Sequence, residues 1–180
     1  MPLTGHPAML AALGAPYLNS VPLLTPGEVY FVNSVRGSNN NDGRDVVRPM
    51  AGWQQAYDKC RANRGDMVIL LPGPAQTLIA AAGILLGTAG VTTLALGQGA
   101  NRPTITLSTA VEASIDVTGL NNIVAGVGGP DSGLILSAVG VDAITAALNV
   151  QAASFQFLNN RLILADATNQ AVLGILTTSA

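Results

Sequence analysis

Beyond Gly65 the chain is a succession of short β-favouring runs, each cut off by Gly, Asn, Asp, Ser or Pro. Asp66-Met67-Val68-Ile69-Leu70-Leu71 stops at Pro72-Gly73-Pro74. Then come Thr77–Ile79, Ile84–Leu86, Thr92–Leu96, Thr104–Leu107, Ser114–Val117, Asn122–Val127, Gly133–Ser137, Ala143–Leu148, Phe155–Leu158, Leu162–Leu164 and Val172–Leu176. Runs this short between turn formers predict strands. Val68–Leu71, Thr93–Leu96, Ile123–Gly126 and Phe155–Leu158 recur every 25–32 residues or so, a period typical of repeat architectures. The turns after the last three share a type: Leu96-Gly97-Gln98-Gly99, Val127-Gly128-Gly129 and Leu158-Asn159-Asn160. One strand per turn of a coil, stacked on its equivalent in the next coil, makes a β-solenoid. Its inward residues stack as aliphatic ladders. Asn at the turns can stack as hydrogen-bonded ladders, and the corners need Gly or Asn for positive φ. Parallel strands need crossovers, and here each crossover is the rest of a coil.

Charge narrows the function classes. The 180 residues carry 8 Lys+Arg and 10 Asp+Glu, 10% of the chain, where about a quarter is usual. No concentrated cationic face is available for nucleic acid. With 49% apolar residues the chain is not disordered by composition. Cys60 is alone, which excludes a disulfide scaffold, and one His with one Cys leaves no usual zinc site. Eleven of the eighteen charges lie in 1–75, and the rest of the chain carries Arg102, Glu112, Asp116, Asp131, Asp142, Arg161 and Asp166. Such a surface is either coated with neutral Thr, Ser, Asn and Gln or covered by other subunits. The positive mean hydropathy, +0.43, favours cover by an assembly.

Two segments invite other readings. Residues 1–26, MPLTGHPAMLAALGAPYLNSVPLLTP, contain an apolar run at Ala8–Ala15, but no Lys or Arg precedes it and Pro and Gly interrupt its surroundings. This predicts an extended, Pro-punctuated arm, with at most one helical turn at Ala8–Leu13, rather than a secretory signal. Leu78–Gly97 is uncharged and long enough to span a bilayer, and it contains Gly83-x-x-x-Gly87. However, Gly83, Gly87 and Gly90 weaken a helix, Thr88, Thr92 and Thr93 favour β structure, and Gly90–Gly97 reads as a strand between two Gly turns.

Before the repeats, Glu28–Val32 is a strand candidate and Gly37-Ser38-Asn39-Asn40-Asn41-Asp42-Gly43 a loop of turn formers. Ala51 to Arg64 is the one clear helical pattern. Trp53, Ala56, Tyr57 and Cys60 fall on one face. Lys59, Arg61 and Arg64 suit the C-terminal end of the dipole, and Gly65 is a plausible stop.

Gly27-Glu28-Val29-Tyr30-Phe31-Val32, Gly37-Ser38 with Asn41-Asp42-Gly43, the 51–64 segment, Arg64-Gly65-Asp66-Met67-Val68-Ile69-Leu70-Leu71-Pro72-Gly73, Gly90-Val91-Thr92, and Gly97-Gln98-Gly99 with Arg102-Pro103 follow one another in order. Together they resemble the opening of right-handed parallel β-helix proteins of the pectate-lyase-like superfamily, and phage and prophage virion proteins within it. In that family an SxxGxDxNDG loop leads to a helix capping the first coil. A GDxIxLLPG strand starts the stack and GxGxxRP closes an early corner. This chain departs at Asn39, where the pattern has its first Asp, and at Val68, where it has Ile. The resemblance covers about half the chain. It implies an all-β fold: a short right-handed parallel β-helix over 27–180, with helix 51–64 as its N-terminal cap and 1–26 as an extended arm. Residues 66–180 suffice for about four coils, a stub roughly 20 Å tall. Its last segment, Leu173–Ala180, offers neither a capping helix nor a charge, so the stub is expected to need partners.

No catalytic constellation stands out. Polysaccharide lyases on this fold use clustered carboxylates for Ca²⁺ and a basic residue for proton abstraction. Here Asp116, Asp131, Asp142 and Asp166 are scattered and no Lys follows Lys59; turn and surface carboxylates account for them. A hydrolytic pair such as Asp116 with Asp142 is conceivable, but nothing selects it. Phe155 and Phe157 read as core rather than as a sugar platform. Gly97-x-Gly99-x-x-Arg102 lacks the third Gly and the helix of a dinucleotide fingerprint. Asn39–Gly43 lacks the acidic set of a calcium loop. His6 has no partner near it in the arm, and Cys60 is expected to pack against the helix face.

The expectation is therefore a non-enzymatic virion protein without metal or cofactor. It would be a capsid decoration or cement protein that forms a homotrimer and binds the major capsid protein on the capsid surface. Neither nucleic acid nor membrane is an expected partner. The arm would supply the capsid and subunit contacts through Leu3, Met9, Leu10, Leu13, Tyr17, Leu18, Leu23 and Leu24. The alternative is a tail-associated glycan-binding or depolymerase-related protein on the same fold.

Overall fold

The structure is a computed structural model that describes residues 27–73, 75–78, 83–108, 113–129, 131–139, 146–164 and 173–177. The arm, with all eight of its expected contact residues, lies outside the described residues. So do Glu112, Asp142 and Asp166.

The strands are β1 (Val29–Val32), β2 (Met67–Leu70), β3 (Ala75–Leu78), β4 (Ile84–Leu86), β5 (Thr92–Leu96), β6 (Thr104–Ser108), β7 (Ile115–Val117), β8 (Ile123–Val127), β9 (Ile135–Val139), β10 (Ala146–Val150), β11 (Gln156–Leu158), β12 (Arg161–Leu164) and β13 (Leu173–Thr177). Each expected run overlaps one of them. They form three sheets, β1-β2-β5-β8-β11, β3-β6-β9-β12 and β4-β7-β10-β13. Every pairing is parallel. From β2 onward the chain visits the first, second and third sheets in rotation, so each strand from β5 onward pairs with the strand one round earlier. The fold is mostly β, with parallel sheets and little helix, which is compatible with the expected parallel β-helix.

One core lies between the sheets. The first contributes Val68, Leu70 and Val124, the second Ile105, Leu107 and Leu136, and the third Ile84, Leu86, Ile115, Val117 and Leu148. The alternation of strand residues explains this choice: each inward side chain stacks on its partner one round away.

Two expectations need correction. The helix, α1, covers only Trp53–Tyr57, not 51–64. The buried face is as read, since Trp53, Ala56, Tyr57 and Cys60 all join the core. Tertiary acceptors, however, capture the amides that would extend the helix. Arg61 N–H donates to the Asp66 carboxylate (2.7 Å) and Asn63 N–H to the Ala89 carbonyl (2.9 Å). Asn63 and Gly65 then turn the chain with φ of 56° and 76°. Lys59, Arg61 and Arg64 consequently do not sit in the last helical turn.

The repeat register also differs. The inward column of the first sheet is Val68, Thr93, Val124 and Phe157, whereas the sequence equivalences align Val68 with Ile123 and Phe155. A one-residue slip moves a side chain to the opposite face, so Ile123 points outward beside Thr92. The corners set this register. Asn122, 1% exposed, accepts from Val91 N–H (3.0 Å) and donates to the carbonyls of Gly119 (2.9 Å) and Leu86 (3.3 Å). Asn160 accepts from Leu134 N–H (2.9 Å) and donates to the Val124 carbonyl (2.8 Å). These corner Asn side chains thus bind backbone, much of it in the neighbouring round, and do not form a ladder with one another. Backbone groups freed at a corner need such partners when buried.

At the first-strand end the edges of β1 and β4 are engaged. Segment 43–50 lies along β1: Phe31 N–H donates to the Gly43 carbonyl, Met50 N–H to the Phe31 carbonyl, and Asn33 N–H to the Met50 carbonyl. α1 packs against β1, β2 and β4. Its Gln54 side chain occupies the β4 edge, accepting from Leu85 N–H (2.7 Å) and donating to the Leu85 carbonyl (3.3 Å). Tyr57 Oη donates to the Thr88 carbonyl (2.7 Å). Edges engaged in this way cannot template further strands.

Candidate interaction surface

The first sheet is apolar on both faces. Its inner face joins the common core. Its outer face forms a second cluster of Phe31, Met67, Ile69, Leu71, Leu94, Leu96, Ala125 and Val127, with Val29 and Ile123 packed against it. The parallel register stacks Phe31, Ile69, Leu94, Ala125 and Leu158 in one outer column. The first four are 5%, 6%, 1% and 3% exposed, whereas Leu158 is 48% exposed. Sequence reading missed this second cluster. Its signal was present in Met67-Val68-Ile69-Leu70-Leu71, Leu94-Ala95-Leu96 and Ile123-Val124-Ala125. Strands buried on both faces read as continuous apolar runs, not as alternation.

The last round is less covered than the first. Ile84, Ile115, Leu148 and Ile175 share the inward column of the third sheet. The first three are buried, but Ile175 is 48% exposed. Phe155 and Phe157 stack with ring centroids 6.4 Å apart and are only partly buried against the core. Val35 and Val47 add exposed apolar side chains on the 34–48 loop.

A buried ionic hub lies near α1. The Asp66 carboxylate is fully buried and accepts four hydrogen bonds. Oδ1 takes Glu28 N–H (2.8 Å) and Arg64 Nε (2.6 Å); Oδ2 takes Arg61 N–H (2.7 Å) and Arg64 Nη2 (2.6 Å). Burial alone would raise its pKa. Arg64 and the two backbone amides outweigh burial and hold the carboxyl below the usual carboxylate range. The hub joins β1, the segment after α1 and the start of β2, so it serves the fold. The spacing Arg64-x-Asp66 was its only sequence trace.

Cys60 is buried in the core and its thiol faces the Ala56 carbonyl. Burial, reinforced by the Asp66 charge, pushes its pKa up to about 12. Alkylation by iodoacetamide at pH 8 should be at least about 100-fold slower in the folded protein than in urea. Mass spectrometry of the modified chain would measure both rates, and rapid labelling of the folded form would contradict this packing.

Among the described residues the other candidates are not brought together. Asp116 on β7 accepts from Ser114 Oγ (3.0 Å), while its conceivable partner Asp142 lies outside the described residues. Asp131 is exposed at a corner. Arg102, 8% exposed, folds back to donate to the Gly99 carbonyl (3.0 Å). A single 3-10 turn, Gly99–Asn101, follows Gly97 and leads into β6, so no helix N-terminus is presented to a phosphate. Asn39 accepts from the Ala51 and Gly52 amides (3.2 and 3.1 Å), and Asp42 accepts from Arg44 N–H (3.2 Å). That loop spends its polar groups on backbone. Among the described residues no three His, Cys, Asp or Glu side chains gather in one place, and no helix is long and apolar enough to cross a membrane.

Compared with protein-family models, curated proteins and solved structures, the chain shows no match.

Proposed function

We propose that the three parallel sheets are the faces of a short right-handed β-helix of the pectate-lyase-like type. On this reading the protein is a phage virion component, a decoration or cement protein that associates as a homotrimer and bridges subunits of the major capsid protein. The observation that carries it is apolar exposure at two described positions. Ile175 stands in a core column and Leu158 in an apolar outer column, yet each is 48% exposed. An isolated domain gains by burying such residues, and a neighbouring subunit is the usual cover. The scarcity of charge beyond residue 75 agrees with this.

The arm is the reaching element, with Leu3, Met9, Leu10 and Leu13 farthest from the sheets in sequence and Tyr17, Leu18, Leu23 and Leu24 nearer. Apolar burial at about 25 cal/mol per Å², less the costs of association, supplies the binding energy. The full chain should co-sediment with empty capsids, whereas a chain lacking residues 1–24 should stay folded and remain in the supernatant. Capsid binding by the truncated chain would remove the arm's role. Sedimentation equilibrium should give three times the chain mass of 18.2 kDa; a monomer across the concentration range would end the trimer reading.

A further inference from the structure

We propose that the paired turns Asn33–Arg36 and Asp45–Arg48 form the surface by which one copy of this chain grips the next. This deepens the homotrimer reading and rests on it. The two turns repeat one sequence pattern, Asn33-Ser34-Val35-Arg36 and Asp45-Val46-Val47-Arg48. They also repeat one geometry. Asn33 Oδ1 accepts from Val35 N–H and Arg36 N–H (3.0 Å each). Asp45 Oδ1 accepts from Val47 N–H (2.9 Å), and the Asp45 carbonyl accepts from Arg48 N–H (3.1 Å). The bases of the turns are joined. Asn33 N–H donates to the Met50 carbonyl (2.9 Å), while Ser38 N–H (3.1 Å) and Asn41 Nδ2 (2.7 Å) donate to that of Pro49.

The fold does not require what these turns display. Val is a strand former, and a tight turn gains nothing from it. Yet Val35 is 77% exposed and Val47 80%, the highest values for large apolar side chains among the described residues, with Val46 exposed beside them. Arg36 and Arg48 are exposed and form no ion pair among the described residues, whereas Arg44 pairs with Glu28 (3.3 Å). Asp42 and Asp45, also exposed, each turn one oxygen to a backbone amide. A stiff side chain on a fixed turn loses little freedom on binding. The matching surface is on the same chain. By sequence, the part beyond residue 75 carries two cations against five anions, with Asp131 exposed among them. It also exposes Leu120, Leu158 and Ile175 by about half. Val and Arg on one side, apolar exposure and excess carboxylate on the other, are complementary in both respects. Contact between unlike surfaces is heterologous: each subunit gives its turns to one neighbour and receives those of another, and a threefold ring closes it.

Sedimentation equilibrium of the full chain is the test. The wild type should give three times the chain mass of 18.2 kDa. At the same concentrations Val35→Ser with Val47→Ser, and separately Arg36→Glu with Arg48→Glu, should associate at least about a hundredfold more weakly and sediment as single chains. Cys60, buried in the core, should stay protected from iodoacetamide in both variants and so report that the fold is kept. A variant of either kind that remains as trimeric as the wild type overturns the proposal. If Cys60 labels rapidly in a variant, Val47→Cys decides. Its labelling by a maleimide should be at least about tenfold slower in the trimer than in dilute single chains. Equal rates overturn the proposal. A monomeric wild type ends the trimer reading and this proposal with it, whereas a trimeric wild type with trimeric variants ends the proposal alone.

Discussion

Asp66→Asn should destabilise the fold by about 3–5 kcal/mol, although the change is one atom and leaves the shape intact. The carboxylate accepts one backbone N–H and one guanidinium N–H on each oxygen. An amide has one acceptor and one donor end. Whichever way it is flipped, its NH₂ faces a backbone donor and a guanidinium donor. Arg64 also loses the only buried negative charge that it pairs with among the described residues. Urea denaturation at pH 7 measures the loss, with Asp131→Asn at an exposed corner as the control expected to change little.

The same group predicts a pH dependence. Its folded pKa is depressed below the unfolded value of about 3.9. Its contribution is therefore complete above that value and disappears as the pH falls through the folded pKa. The wild-type denaturation midpoint should drop more steeply below about pH 4 than that of Asp66→Asn. Parallel acid limbs in the two proteins would show that the carboxylate is not charged in the fold.

Gly133→Ala should cost about 3 kcal/mol or more, while Gly129→Ala in the same corner should be close to neutral. Gly133 has φ of 88°, and a Cβ there would strike the Asn159 carbonyl oxygen and approach Gly126 Cα. The obstacle is main chain of the following round and cannot rotate away. Gly126 meets the same oxygen. At Gly129 a Cβ meets nothing within 4 Å and φ is not positive. Thermal melts of the two variants check the contrast. Equal melting temperatures would mean that the β11–β12 corner does not sit where these rounds place it.

Much of the fold is legible in the residues because each round is local. The turn formers around Ile84–Leu86 and Thr92–Leu96 delimit those strands to the residue. β9 begins at Ile135, two residues later than the Gly133 start expected, because Gly133 completes the corner and Leu134 N–H is given to Asn160. The overrun of α1 has a similar origin. Periodicity marks which side chains are buried, and Cys60 is buried as expected, but it does not reveal which acceptor outside the helix takes an amide. Asp66 and Ala89 take those of Arg61 and Asn63, and the helix stops at Tyr57.

The candidate surface was less legible. In the arm, hydrophobicity alone marks the expected contact residues. The apolar outer face of the first sheet went unnoticed because inward and outward positions are indistinguishable where both are aliphatic. Patterning and turn chemistry by themselves determined that this chain forms short parallel strands with neutral flanks, since a strand's length and ends depend on neighbours in sequence. Only the tertiary structure decided which of two apolar faces turns to the core, where the helix ends, and that Asp66 ties three segments together. Each of those outcomes depends on atoms tens of residues away, whose partners are chosen when the rounds stack.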